Sequence, residues 1–142
     1  MKLSMFLLLP ALALAACATV PTPMSEALPT PSERIYFRVT EGRPTATVVF
    51  IRDRGFAGSG VYQHLLINEE KAASIDVGEK VTLQLLSGEY VFSVMPTDPF
   101  GGHAEFGIDQ RLEAGRTYAY RILTDGTSFS TRIQRIIGKS VE

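Results

Sequence analysis

From residue 45 onward, apolar and polar residues alternate with a period of two, and this pattern constrains the fold more than any other feature. Val81, Leu83 and Leu85, for example, alternate with polar residues. Successive side chains of a β-strand point to opposite faces, so such a segment predicts a strand with one buried face. Short turns containing glycine separate the segments, and no long helical period interrupts them.

About eight such segments follow one another, which predicts an all-β domain over residues 34–137. Asp125-Gly126 is a strong hairpin signal, because both residue types tolerate positive φ. Short strands joined by glycine turns are typical of a small antiparallel two-sheet β-sandwich, and that is the predicted fold class. Residues 34–41 remain open: Ile35, Phe37 and Val39 alternate as in a strand, but Pro31-Ser32-Glu33 is also compatible with the start of a short helix.

The N-terminal residues have the pattern of an export signal. Lys2 precedes an apolar run from Met5 to Leu14, which is too short to span a bilayer as a helix. Ala15, Ala16 and then Cys17 follow. The order Leu-Ala-Ala-Cys resembles the lipobox of bacterial lipoproteins, which implies a signal peptide over residues 1–16 and cleavage between Ala16 and Cys17.

The same resemblance implies that the Cys17 sulfur and its new amine carry fatty-acyl chains such as palmitate. Cys17 is the only cysteine, so the domain is expected to fold without a disulfide. Ala18 stands where lipoproteins kept in the inner membrane tend to have Asp. This favours the inner leaflet of the outer membrane, with the domain facing the periplasm, although the choice between the two membranes stays open.

Residues 17–33 are predicted to be a disordered, proline-rich linker. Pro21, Pro23, Pro29 and Pro31 favour extended backbone and remove hydrogen-bond donors. The few apolar side chains between them would yield about 5–8 kcal/mol on burial, against a cost of roughly 15–30 kcal/mol for ordering the segment. Residues 138–142 are predicted to be a short C-terminal tail.

Several turns of the chain together resemble a known family. They are Phe56-Ala57-Gly58-Ser59-Gly60, Leu66-Ile67-Asn68-Glu69-Glu70-Lys71, Ser87-Gly88-Glu89-Tyr90 and Ala114-Gly115-Arg116-Thr117-Tyr118. The domain is similar to bacterial lipoproteins with the domain of unknown function 2846, which resembles PEGA-type and transthyretin-like β-sandwiches. The resemblance covers about Thr45 to Ile136 and implies no catalytic residues. The chain departs at Asn68-Glu69-Glu70, where such domains often have Asn-Gly or Asp-Gly.

Composition and motifs favour a non-enzymatic protein. The 14 Lys and Arg residues balance 15 Asp and Glu, without the basic run that nucleic-acid binding requires. The glycine-rich loop Gly55–Gly60 lacks the lysine and the following helix of a phosphate loop, and a hairpin or a crossing between sheets is expected there. His64 and His103 lack the spacing of a metal pair. We therefore predict no metal and no cofactor, with a small hydrolase or metal-binding protein using His64 and His103 as the alternative.

Four residues are candidates for partner binding: Phe56, Tyr62, Phe100 and His103. Phe100 and His103 belong to the loop from Pro96 to His103, and loops on a rigid sandwich often carry binding sites. Two simpler explanations compete, in which Phe100 folds back onto the sandwich and residues 34–39 cover Tyr62. The sequence thus predicts a lipid-anchored envelope protein that binds a protein or a glycan.

Overall fold

The structure is a computed structural model that describes residues 19–38, 42–56, 58–97, 105–125 and 130–137. These residues form nine strands and one turn of 3-10 helix, Ser32–Arg34. The strands are β1 (Leu28–Pro29), β2 (Thr45–Arg52), β3 (Gln63–Ile67), β4 (Glu70–Ile75), β5 (Glu79–Leu86), β6 (Gly88–Pro96), β7 (Glu105–Leu112), β8 (Thr117–Thr124) and β9 (Thr131–Arg135).

The strands form two sheets, so the prediction of an all-β, two-sheet domain is confirmed. One sheet has the order β1-β5-β2-β8-β9 and the other has the order β4-β3-β6-β7. Most pairings are antiparallel, as predicted, but β2 pairs with β8 and β1 with β5 in parallel. The strand beyond the expected eight is β1, which lies in the segment predicted to be a linker.

The core lies between the two sheets and is centred on three aromatic rings. Phe50, Phe92 and Tyr120 have ring centroids 5.1–5.4 Å apart. The predicted inward face of β5 is confirmed, and residues of β6 and β8 complete the core. Their buried residues are Val81, Leu83, Leu85, Phe92, Val94, Tyr118, Tyr120 and Ile122. The period-two pattern therefore identified the core because each strand presents only one face to the opposite sheet.

The prediction of a disordered linker over residues 17–33 is wrong for the part that the structure describes. Leu28 and Thr30 donate their backbone N–H groups to the carbonyls of Gly78 and Lys80, which adds β1 to the sheet as the edge strand beside β5. Ala27 is buried on the outer face of the five-stranded sheet, in a cluster with Val49, Ile51 and Ala119. Cys17 and Ala18 lie outside the described residues.

Extended proline-rich backbone suits this position, because proline is tolerated at a sheet edge, where its missing donor is not needed. The edge of β5 also offers unpaired backbone groups that a neighbouring segment can satisfy. These backbone hydrogen bonds stabilise the segment beyond what the burial of its few apolar side chains provides.

Residues 34–38 follow neither of the two alternatives left open by the sequence. After the single 3-10 turn the backbone is extended, and Ile35 forms one isolated bridge with Ala73 of β4. Tyr36 and Phe37 both donate their N–H groups to the carbonyl of Ala72. The segment thus runs along the outer edge of β4 without forming a full strand, and residues 39–41 lie outside the described part.

The turn between β3 and β4 has Asn68-Glu69 where similar domains often have Asn-Gly, but its backbone has the geometry typical of Asn-Gly turns. Both residues have positive φ, 50° and 69°, as the two-residue turns that connect hairpins require. The second predicted hairpin is also present, because Thr124 pairs with Thr131 across β8 and β9. Gly126 itself lies outside the described residues.

Candidate functional site

One end of the sandwich is organised by the buried guanidinium of Arg52. Arg52 is the last residue of β2 and is only 2% exposed. Its Nη1 donates to the carbonyls of Val61 and Ile75, each at 2.8 Å, and its Nη2 donates to the carbonyl of Gly58 at 2.6 Å. Burial lowers the pKa of Arg52 to about 10. These bonds fix the loop that leads from β2 to β3.

That loop crosses from the five-stranded to the four-stranded sheet, which confirms one of the two geometries expected for Gly55–Gly60. Gly58 has a φ of +73°, and a Cβ there would lie 3.5 Å from Thr124 Cγ2. Phe56 is on this loop and is 74% exposed. Arg52 and Asp53, which lead into this loop, are both buried.

Tyr62 lies at the end of the crossing loop, directly before β3. The Arg34 guanidinium carbon is 4.7 Å from the Tyr62 ring centroid, which is a cation–π distance. Arg34 is itself held by two hydrogen bonds to the Glu79 carboxylate, at 2.9 and 2.6 Å, and this bonding raises the pKa of Arg34. Arg34 thus covers one face of the ring, while Tyr62 remains 42% exposed.

His64 forms hydrogen bonds through both ring nitrogens to neighbouring hydroxyl groups. Nδ1 is 2.9 Å from Ser74 Oγ, and Nε2 is 3.1 Å from Thr97 Oγ1. Ser74 Oγ is also 3.2 Å from the Tyr36 hydroxyl, and Ser74 is buried. Burial, and secondarily the charge of Lys71, lowers the pKa of His64. The neutral imidazole of His64 therefore connects the Ser74 and Thr97 hydroxyls on this face of the four-stranded sheet.

A shallow cavity of about 270 Å³ lies beside Tyr62. Its lining residues are Ser59, Gly60, Val61, Tyr62, Asp76 and Thr97. Thr97 donates both its N–H and its hydroxyl to the Tyr62 carbonyl, at 2.8 and 2.9 Å. The cavity therefore presents an aromatic ring, hydroxyls and a carboxylate on a braced backbone, and such a set can bind polar groups of a partner.

The structure brings two of the four predicted binding residues, Phe56 and Tyr62, to the same end of the sandwich on one loop. Phe100 and His103 lie outside the described residues, as do Ala16 and Cys17. Thr97 is the last described residue before the Phe100 loop, and it is bonded to Tyr62. The loop therefore begins next to the cavity.

Two other cavities lie elsewhere on the described surface. A depression of about 460 Å³ lies on the outer face of β6 and β7, and another of about 340 Å³ lies beneath the N-terminal segment. Neither is lined by Phe56, Tyr62 or His64. We therefore place the candidate site at the cavity of about 270 Å³, because Tyr62 lines it and the crossing loop forms one of its walls.

A buried carboxylate that sequence reasoning missed joins the N-terminal segment to the sheet. Asp53 Oδ1 accepts the Thr22 N–H at 2.9 Å and pairs with the Arg121 guanidinium. Burial raises the pKa of Asp53, whereas the Thr22 N–H and Arg121 oppose that rise. Only the three-dimensional contact with residues 22 and 121 distinguishes Asp53 from an ordinary loop aspartate.

Among the residues that the structure describes, no three His, Cys, Asp or Glu side chains are grouped as metal ligands. The described residues also include no helix long and apolar enough to cross a membrane. No protein-family model matches the chain, and no curated protein is similar enough to it to count as a relative.

Proposed function

We propose that this chain is a lipid-anchored lipoprotein of the cell envelope whose β-sandwich binds a protein or glycan without catalysing a reaction. The pattern of residues 1–17 supports the anchor: residues 1–16 act as signal peptide and Cys17 carries the acyl chains. Ala18 favours the inner leaflet of the outer membrane. The likeness of the turns to lipoproteins with the domain of unknown function 2846 belongs to the same proposal.

The cavity beside Tyr62 is the observation that carries the binding role. The cavity is formed by backbone and side chains that Arg52, Thr97 and Arg34 already hold in place. Binding a partner therefore requires little further ordering of the protein. The exposed part of the Tyr62 ring offers a surface for stacking, and Asp76 offers a hydrogen-bond acceptor. Sugars and extended polypeptides both present apolar faces bordered by hydrogen-bond donors. The apolar faces can stack on the Tyr62 ring, and the donors can bond to Asp76.

The surroundings of His64 support binding rather than catalysis. Its ring nitrogens are engaged by Ser74 and Thr97, and the Ser74 hydroxyl is buried where a substrate carbonyl has no access. A serine nucleophile requires an accessible hydroxyl and a base oriented by a third group. The described contacts of His64 instead resemble a structural bridge between β3, β4 and the end of β6.

Site-specific photocrosslinking in living cells tests the binding role. A photoreactive amino acid at Ser59, on the cavity wall, is expected to capture a protein or to attach the chain to cell-wall glycan. The same amino acid at Val91, exposed on the outer face of β6, serves as the matched control. Equal capture at both positions, or none at Ser59, contradicts a binding site at this cavity.

The anchor has a separate test. Cys17→Ser is expected to release the protein from membranes and to remove the acyl mass that mass spectrometry detects on the wild type. A wild-type protein whose N-terminal peptide carries no acyl chain contradicts the lipoprotein proposal, whatever the crosslinking shows.

A further inference from the structure

The first described residues enter the sandwich at the end that carries the crossing loop. The Thr19 hydroxyl donates to the Thr124 carbonyl at 2.6 Å. Val20 and Arg54 exchange two backbone hydrogen bonds, at 2.7 and 3.2 Å. Only Ala18 separates Thr19 from Cys17. Covalent geometry therefore keeps the Cα of Cys17 within about 7 Å of the Cα of Thr19.

Large apolar side chains are exposed around this entry point. Val20 is 58% exposed, Leu28 is 65% exposed, and Phe56 is the most exposed aromatic residue among those described. The backbone of Gly55 lies against Thr19, since a Cβ at Gly55 would be 3.2 Å from Thr19 Cα. Phe56, the next residue, is thus close to the point where the chain enters.

Arg54 lies among these apolar residues. Its side chain packs over Gly78, whose carbonyl accepts the Leu28 N–H, and its backbone pairs with Val20. Its guanidinium is half exposed and meets the Glu26 carboxylate only at 3.9 Å. We name Val20, Leu28, Arg54 and Phe56 the entry rim.

We propose that the entry rim rests on the bilayer surface, with Phe56 at the boundary between headgroups and acyl chains. This inference rests on the proposed acylation of Cys17. Exposed apolar patches mark protein or membrane contacts, and the short distance to the anchor selects the membrane here. An arginine among apolar side chains also matches a surface that contains anionic headgroups.

This orientation changes what the domain can reach. A flexible linker of fifteen residues would let the sandwich sample a wide range of heights and orientations. With residues 19–30 packed on the sheets, the anchor instead holds the crossing loop at the bilayer. The cavity beside Tyr62 shares that loop, so a partner must be accessible close to the membrane surface.

Tryptophan fluorescence gives a direct test, because the chain contains no tryptophan. Phe56→Trp introduces one fluorophore at the rim, in a side chain exposed enough to tolerate it. Ile137→Trp is the matched control, since Ile137 is 88% exposed and follows β9, which runs away from the end that carries the crossing loop. Both acylated full-length proteins are purified and reconstituted into vesicles of phosphatidylethanolamine and phosphatidylglycerol, with or without lipids brominated near the headgroup.

The expected result is that brominated lipid reduces Phe56→Trp emission by about two-fold and leaves Ile137→Trp emission nearly unchanged, because a side chain at the interface lies within reach of shallow bromines. Equal quenching of both variants contradicts a fixed orientation. Quenching of neither contradicts membrane contact by the rim and indicates that another partner covers it. Mass spectrometry of the same samples separates these outcomes from failure of the acylation proposal.

Discussion

The guanidinium of Arg52 donates to the carbonyl of Ile75 at 2.8 Å, although the two residues belong to different sheets. The same side chain holds Gly58 and Val61 of the crossing loop. Among the described contacts, Arg52 forms its hydrogen bonds with backbone carbonyls, while the charges of Asp76 and Glu79 also favour the buried cation. Arg52 therefore connects the core to the loop that carries Phe56 and ends at Tyr62.

Arg52→Lys is expected to destabilise the fold by about 2–4 kcal/mol, because lysine retains a buried charge but lacks the planar fork that reaches three carbonyls. Chemical denaturation followed by circular dichroism measures the change. Arg132→Lys is the control, since Arg132 is exposed on β9 and its replacement is expected to cost less than about 0.5 kcal/mol. Equal effects of the two substitutions would contradict the role given to Arg52.

Ala27→Asp tests whether the N-terminal segment belongs to the folded domain. Ala27 is buried against Val49, Ile51 and Ala119, so a carboxylate there is expected to cost about 2–3 kcal/mol. Ser25→Asp introduces the same charge at an exposed position of the same segment. If thermal unfolding of the two variants is indistinguishable, the segment does not pack as described.

Glu69→Gly is expected to stabilise the protein by roughly 0.5–1 kcal/mol, because glycine adopts the positive φ of this turn without steric cost. Glu70→Gly removes the same charge one residue later, within β4, where glycine weakens a strand. Urea titrations should therefore move in opposite directions for the two variants. A loss of stability in Glu69→Gly would exclude the turn geometry.

The stability of the protein is expected to depend on the protonation of His64. Burial lowers the pKa of His64 in the folded state below its ordinary value of 6.5. As pH falls below 6.5, the unfolded chain binds a proton before the folded one does, so the free energy of unfolding decreases. The contribution is fully present above that value and is lost as pH falls through the folded pKa.

His64→Gln removes this titration while retaining groups that can bond to Ser74 and Thr97. The difference in unfolding free energy between about pH 7.5 and about pH 5 should therefore be smaller in the variant than in the wild type. Identical pH profiles would show that His64 titrates alike in the folded and unfolded states.

Strands such as β5 were predictable from sequence because their buried face follows from local alternation. Val81, Leu83 and Leu85 need no knowledge of their partners to be recognised as one face. The positive φ of Glu69 was not predictable in this way, since the residue has little preference for it. There the hairpin pairing of β3 with β4 determines the backbone.

The candidate site was only partly predictable. An exposed Phe56 and a partly covered Tyr62 follow from their positions on loop and strand end. The burial of Arg52 depends on backbone carbonyls such as that of Ile75, and the burial of Asp53 depends on the Thr22 N–H and on Arg121. These partners are distant in sequence, so no local pattern indicates them. The docking of residues 19–30 depends on the free edge of β5, which no local pattern of those residues indicates.

Amide hydrogen exchange of the N-terminal segment in the acylated protein tests most directly that anchor, segment and sandwich form one unit. The N–H groups of Val20, Leu28 and Thr30 each donate to a backbone carbonyl, at 2.7, 3.0 and 2.8 Å. We expect them to exchange at least about a hundred-fold more slowly than in an unfolded peptide, as hydrogen-bonded amides of a stable sheet do. Exchange at the rate of an unfolded peptide at all three positions would show that the segment is a free linker and would contradict the proposed placement of the sandwich on the membrane.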